Sequence, residues 1–131
     1  MSPEKLLEDF KNWAVVGVSA DKERYGYKIY KKLKAHGYNV FGINPGIQEL
    51  DGDKVYKSLK DLPEKVDVVN FVVNPKIGIS VVEDCAAEGV KYIWLQPGTV
   101  SDEVLELASE KEIEAVQACV LVGLSYKDQN K

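Results

Sequence analysis

The stretch that decides the fold reads Trp13-Ala14-Val15-Val16-Gly17-Val18, then Ser19-Ala20-Asp21-Lys22-Glu23-Arg24-Tyr25, then Gly26-Tyr27-Lys28-Ile29-Tyr30-Lys31-Lys32-Leu33-Lys34. The first segment has the apolar content of a buried strand. The second is a seven-residue loop, and the third a lysine-rich helix led by glycine. A strand that stops at a Gly and a Ser and opens onto a helix N-terminus makes an anion-binding corner. Unpaired backbone N–H groups and the positive end of the helix point at one place. Across positions 21–34, six basic residues face only Asp21 and Glu23, a local balance of +4 in a chain of net charge −4. Positive charge therefore gathers where the loop geometry favours a phosphate. That implies a nucleotide or nucleotide-like ligand, with an attraction that salt weakens.

Outward from this segment the elements alternate. Apolar runs at 13–18, 39–43, 67–73, 91–95 and 115–120 read as strands, with helical periodicity between them. Gly26, Ile29, Tyr30, Leu33 and Gly37 share one helix face, and Ile77, Val81, Val82, Cys85 and Gly89 share another. Val104, Leu105 and Ala108 mark the buried stripe of a helix over 102–111 that Ser101, Asp102 and Glu103 open. Gly37 and Gly89 stand where helix C-terminal turns belong. Continuous apolar strands separated by helices imply strands buried on both faces, hence a parallel sheet wound by right-handed crossovers. The segment 44–66 breaks this rhythm. Its turns at Asn44-Pro45-Gly46 and Asp51-Gly52 leave room for a minor edge strand at Val55-Tyr56 and a helical turn over 58–62. The predicted fold is a doubly wound α/β domain over residues 1–131. Segment 1–12 carries a helix over 3–11 that Ser2-Pro3-Glu4 begins, and residues 126–131 form a loose tail.

With 131 residues, 45% of them hydrophobic, the chain can build an ordinary core without metal or disulfide staples. Cys85 and Cys119 lie in apolar stretches without paired spacing and read as reduced thiols. No window reaches the ~20 apolar residues of a membrane span, and no signal peptide is expected, because acidic residues follow Met1 at once. The chain reads as cytoplasmic. Its acidic balance argues against nucleic acid as a partner.

In open parallel sheets ligands bind beyond the carboxyl ends of the strands. Those ends read Gly17-Val18-Ser19, Asn44-Pro45-Gly46, Asn74-Pro75-Lys76 and Gln96-Pro97-Gly98. Three of the four place a side-chain amide and a stiff turn on one rim, beside the basic loop. A dinucleotide site needs G-x-G-x-x-G after the first strand and an acid after the second. This chain has Gly17-Val18-Ser19-Ala20-Asp21-Lys22, a longer loop running to Gly26, and Asn44-Pro45 where the acid belongs. NAD is disfavoured, and no Walker pattern supports ATP hydrolysis.

Several strings together resemble the small stand-alone CoA-binding proteins, which are similar to the N-terminal domain of the succinyl-CoA synthetase alpha subunit. They are Trp13 to Ser19, Arg24-Tyr25-Gly26-Tyr27, Gly37-Tyr38-Asn39-Val40, Ile43-Asn44-Pro45, Tyr56-x-Ser58-Leu59, Leu62-Pro63, Val66-Asp67-Val68-Val69 and Trp94-Leu95-Gln96-Pro97-Gly98. The resemblance implies a Rossmann-like fold that holds CoA or an acyl-CoA across the strand ends. On that model the backbone at Gly17, Ser19 and Ala20 meets the pyrophosphate, and Lys22, Arg24 or Lys28 neutralises phosphate charge. Asn44 and Pro45 edge the nucleotide, with Val73, Asn74 and Pro75 flanking it and Gln96 and Gly98 near the pantetheine. The chain departs from the family pattern in two places. Phe71 is followed by Val72 rather than Arg, and Cys119 by Val120-Leu121 rather than Glu-His.

The inventory for chemistry is thin. His36, the sole histidine, precedes Gly37 at a helix C-terminus, where it complements the dipole. One His and two scattered Cys make no metal cluster, and no nucleophile elbow is present. Cys119 could approach a ligand thiol, but no basic residue flanks it. Tyr25, in the loop, is placed to lie over an adenine or a phosphate. The expected function is CoA or acyl-CoA binding without catalysis. The rivals are a NAD(P)-binding enzyme or redox sensor, and a protein-interaction module that has lost its ligand. A side chain at Gly17 is expected to block the ligand more than it disturbs the core.

Overall fold

The computed structural model describes residues 1–129. Its elements are α1 (Pro3–Asp9), β1 (Asn12–Val16), α2 (Tyr25–Ala35), β2 (Asn39–Ile43), β3 (Glu49–Leu50), β4 (Asp53–Tyr56), β5 (Val68–Phe71), α3 (Pro75–Ala87), β6 (Tyr92–Leu95), α4 (Asp102–Glu110), β7 (Glu114–Gln117) and α5 (Val120–Gln129). The seven strands form one sheet in the order β3-β4-β2-β1-β5-β6-β7. Every neighbouring pair is parallel except β3 with β4. The winding reverses between β1 and β5, because the chain leaves β1 toward β2 on one side and later crosses to β5 on the other.

The sheet is covered on both faces, as its unbroken apolar strands require. Trp13 and Val15 of β1 join Ile29 and Leu33 of α2, Leu6 and Leu7 of α1, and Val120 and Leu124 of α5 in one core. Ala14 and Val16, pointing the other way, join Val81, Val82 and Cys85 of α3 and Val104 and Ala108 of α4. Burial pushes the Cys85 thiol well above its ordinary range, so this cysteine is a packing residue. Trp13 and Trp94 are fully buried with ring centroids 5.6 Å apart. Their indole N–H groups donate to the Phe10 and Ala118 carbonyls, both at 2.8 Å. No described helix is long and apolar enough to cross a membrane.

Two expectations need correction at the C-terminal end. The run read as a strand over 115–120 is a strand only to Gln117, and a helix begins at Val120. Residues 126–129, expected to be loose, are the last turn of that helix, while 130 and 131 lie outside the described residues. The cause is a long-range contact. The Gln96 carboxamide oxygen accepts from the Val120 N–H at 2.8 Å and so caps α5 from the end of β6. At the other end, Asp128 takes His36 Nε2 at 2.8 Å and Lys32 Nζ at 3.5 Å, which ties α5 to α2. The segment 44–66 holds the expected short strand, but β3 turns it into a hairpin.

One buried group is out of place. Asn70, fully buried in β5 between Val15 and Trp94, has no protein hydrogen-bond partner for either side-chain atom. An unpaired buried amide costs roughly 1–3 kcal/mol. Replacing it by an apolar residue of the same branched shape removes that cost. Asn70→Leu is therefore expected to raise the unfolding midpoint by a few degrees, by about 1 kcal/mol. A lower midpoint in a thermal melt would show that this amide is needed where it is.

Candidate nucleotide site

The site is built where three backbones meet at the end of β1. Gly17 has φ +103°, and a Cβ there would overlap the Val72 carbonyl. Gly26, in the first turn of α2, sits so close to the Gly17 carbonyl that a Cβ would overlap it too. The β1 exit, the β5 exit and the start of α2 are thus packed without side chains between them. Asn44 braces the corner from β2: its Nδ2 donates to the Val18 carbonyl at 2.7 Å, and its Oδ1 accepts from the Gly46 N–H at 2.7 Å.

The loop that follows is held by its own polar side chains. Ser19 Oγ accepts from the Asp21 N–H and Asp21 Oδ1 from the Glu23 N–H, each at 3.0 Å. The loop delivers the chain into α2 with Arg24 at the N-cap position. Ser2, Asn74 and Ser101 cap α1, α3 and α4 through their side chains, whereas α2 has no side-chain cap and no acid in its first turn. Its first turn borders an open cleft lined by Gly17, Ser19, Arg24, Tyr25, Gly26, Asn44 and Val73, with Asp21 as the one acid beside Arg24. A negatively charged group fits here. A second cleft of about 390 Å³ adjoins it on the α3 side. Its walls are apolar (Val16, Ile43, Pro45, Leu59, Val73, Ile77, Val81), with Lys57, Ser58, Ser80 and Asp84 at its edges. Gly17, Asn44, Val73 and Ile77 belong to both clefts.

The expected residues divide accordingly. Gly17, Ser19, Arg24, Tyr25, Gly26, Asn44, Pro45 and Val73 line the joined clefts. Tyr25 is 64% exposed, its ring available to a ligand. Ala20 and Lys22 sit in the same loop without forming its walls, and Lys28 lies on the exposed side of α2. All three amides that suggested a ligand rim bond to the scaffold, and of the three Asn44 also lines the clefts. Asn74 Oδ1 accepts from the Ile77 N–H at 3.0 Å, and Gln96 is buried as the cap of α5. Pro75 is the first residue of α3, and Gly98 lies exposed in the turn after β6. Ile77, read as a core position, is 49% exposed at the cleft. Lys57, Ser80 and Asp84 were not anticipated. Among them only Lys57 had a neighbouring signal, the Tyr56-x-Ser58-Leu59 string around it.

The +4 segment is less positive in space than along the chain. Lys31 pairs with Asp51 at 3.1 Å, Lys34 with Asp53, and Lys32 with Asp128. The Tyr27 and Tyr30 hydroxyls also donate to Asp51 and Asp53, at 2.6 and 2.9 Å. These lysines clamp α2 to the hairpin and to α5. Hydrogen bonds from Tyr27 and then Lys31 hold the Asp51 carboxyl below the usual carboxylate range, and Lys34 does the same for Asp53. His36 lowers Asp128 likewise. Arg24 keeps only a loose contact with Asp21, at 3.8 Å. His36 sits at the far end of α2 from the site. Among the described residues no group of three or more His, Cys, Asp or Glu side chains is placed to hold a metal ion.

A mainly parallel sheet whose reversal point carries an uncapped helix N-terminus beside an apolar cleft defines a Rossmann-like nucleotide-binding domain. The CoA binding domain family model matches residues 11–125, and the chain belongs to that family. An uncharacterized Bacillus subtilis protein, YneT, is 30% identical over 82% of this chain and 80% of its own length. The alpha subunit of the ADP-forming acetate–CoA ligase I of Pyrococcus furiosus is 38% identical over 71% of this chain, which spans only 21% of that subunit. Among solved structures, a hypothetical protein from Pyrococcus horikoshii OT3 superposes with a TM-score of 0.89 at 33% identity, covering 93% of this chain and 87% of that one.

The junction corrects the expectation for Gly17. A side chain there must displace the Val72 backbone and adopt a left-handed conformation, so Gly17→Val harms the fold first. It is expected to cost on the order of 2–4 kcal/mol, read as a fall in the melting midpoint. A variant melting with the parent would show that the strand exits can part. The clamps carry a pH signature. Asp51, Asp53 and Asp128 have folded values below their unfolded value near 4, so their contribution is complete above about pH 4 and is lost as the pH falls through the lower folded values. Asp53→Asn is expected to lower stability at neutral pH and to flatten the loss that sets in below about pH 4. Parallel pH curves for parent and variant would show the hairpin clamp to be idle.

Proposed function

We propose that this chain is a single-domain, cytoplasmic binder of CoA or an acyl-CoA that performs no catalysis of its own. The observation that carries the reading is the uncapped α2 N-terminus at the β1 exit, opening on the joined clefts in a chain of the CoA binding domain family. In this reading the pyrophosphate lies over the first amides of α2, between Ser19 and Tyr25, with Arg24 free to turn from Asp21 toward it. The adenosine enters the apolar cleft between Pro45 and Val81. The pantetheine runs across the β5 exit toward Gly98 at the β6 end.

The NAD alternative has little support. Asn44 and Pro45 follow β2 and give the ribose diol no carboxylate. The non-catalytic part of the reading is supported by where the reactive side chains lie. His36 is engaged with Asp128 at the distal end of α2, Cys85 is sealed in the core, and Cys119, half-buried just before α5, lines neither cleft. The acetate–CoA ligases that share this domain are several times longer, and the activity in their name belongs to those whole proteins.

Calorimetry on the full chain is expected to find CoA at least tenfold tighter than NAD or ATP, about 1.4 kcal/mol. Ser19→Asp is the sharper test, since an aspartate can still accept from the Asp21 N–H and keep the turn while setting a negative charge against the phosphates. It is expected to weaken CoA by tenfold or more with little change in melting. NAD binding tenfold tighter than CoA, or CoA binding that ignores Ser19→Asp, would sink the reading.

A further inference from the structure

The adenosine cleft has a cation of its own. The Asn44 N–H donates to the Tyr56 carbonyl at 2.9 Å, so the chain leaving β4 is pinned beside the end of β2. The next residue, Lys57, lines the cleft with Asn44 and Pro45. It is exposed and forms no ion pair among the described residues, whereas Lys31, Lys32 and Lys34 all have acidic partners. Asp84, on the α3 side of the same cleft, makes no ion pair with Lys57. A phosphate in this cleft is therefore drawn to the β4 edge and away from α3.

The sign of the charge at this edge carries chemical information. A site for an unmodified ribose sets a carboxylate at the end of the second strand, whereas a ribose bearing a phosphate calls for a cation nearby. Here the end of β2 presents Asn44 and Pro45, and Lys57 stands beside them. Resting on the CoA reading, we propose that Lys57 forms a phosphomonoester subsite for the ribose 3′-phosphate, selecting CoA over dephospho-CoA. A ribose phosphate also occurs on NADP, at the 2′ position, and the test separates the two.

The experiment is calorimetry of the full chain at one fixed ionic strength with CoA, dephospho-CoA and NADP. The parent is expected to bind CoA about tenfold more tightly than dephospho-CoA, as a charge-assisted contact provides. Lys57→Gln is expected to bring that ratio close to one by weakening CoA alone. Unchanged dephospho-CoA affinity then doubles as the control for folding. Lys57→Glu is expected to reverse the preference. Equal binding of the two ligands by the parent, or a ratio that survives Lys57→Gln, overturns the subsite and leaves the CoA reading standing. NADP bound more tightly than CoA, or no binding of any of the three, overturns both.

Discussion

Everything at the ligand end of this molecule depends on how closely three backbones meet. A Cβ on Gly26 would overlap the Gly17 carbonyl, and one on Gly17 would overlap the Val72 carbonyl. A dinucleotide fingerprint brings strand, helix and phosphate together with glycines two and three residues apart. Here the strand and helix contacts are made by two glycines nine residues apart, with a self-stapled loop between them. The loop is longer than in that fingerprint, yet the helix still lands against the strand. Fixing α2 in this way sets the direction of its dipole and leaves its first turn bordering the cleft without a side-chain cap.

The charges on α2 do two separate jobs that its sequence runs together. Successive helical residues are about 100° apart, so Lys31 and Lys34 fall on the side of the hairpin and Lys32 on the side of α5. Their partners Asp51, Asp53 and Asp128 come from segments 19 to 96 residues away. Summed along the chain the lysines look like a phosphate-binding patch, but in space three of them are clamps. The tyrosines Tyr27 and Tyr30 belong to the same clamps through their hydroxyls.

Most of the fold was legible because the strands are short, apolar and bounded by turn residues, and because Gly37 and Gly89 mark where α2 and α3 stop. The run Ala115 to Val120 was not. Its β-branched and apolar residues have the composition of a strand throughout, and α5 has no clean apolar stripe to betray a helix. The helix starts at Val120 because Gln96, from another strand, supplies the cap. The site was legible in its backbone parts, where glycine and turn chemistry leave a local mark. It was less legible in its side-chain parts. Asn74 and Gln96 have the right chemistry on the right rim, yet a helix amide claims each first.

This division bears on how a ligand would be held. With Lys31, Lys32 and Lys34 neutralised at close range, the long-range field at the cleft rests on Lys22, Arg24, Lys28 and Lys57 against Asp21, Glu23 and Asp84. That nearly balanced set sits in a chain of net charge −4, so steering of a polyanion from a distance is weak. What remains is short-ranged: helix amides at the β1 exit, a loosely held Arg24, and an apolar wall for an aromatic base. Interactions of this kind discriminate by shape and by the placement of each phosphate rather than by total charge.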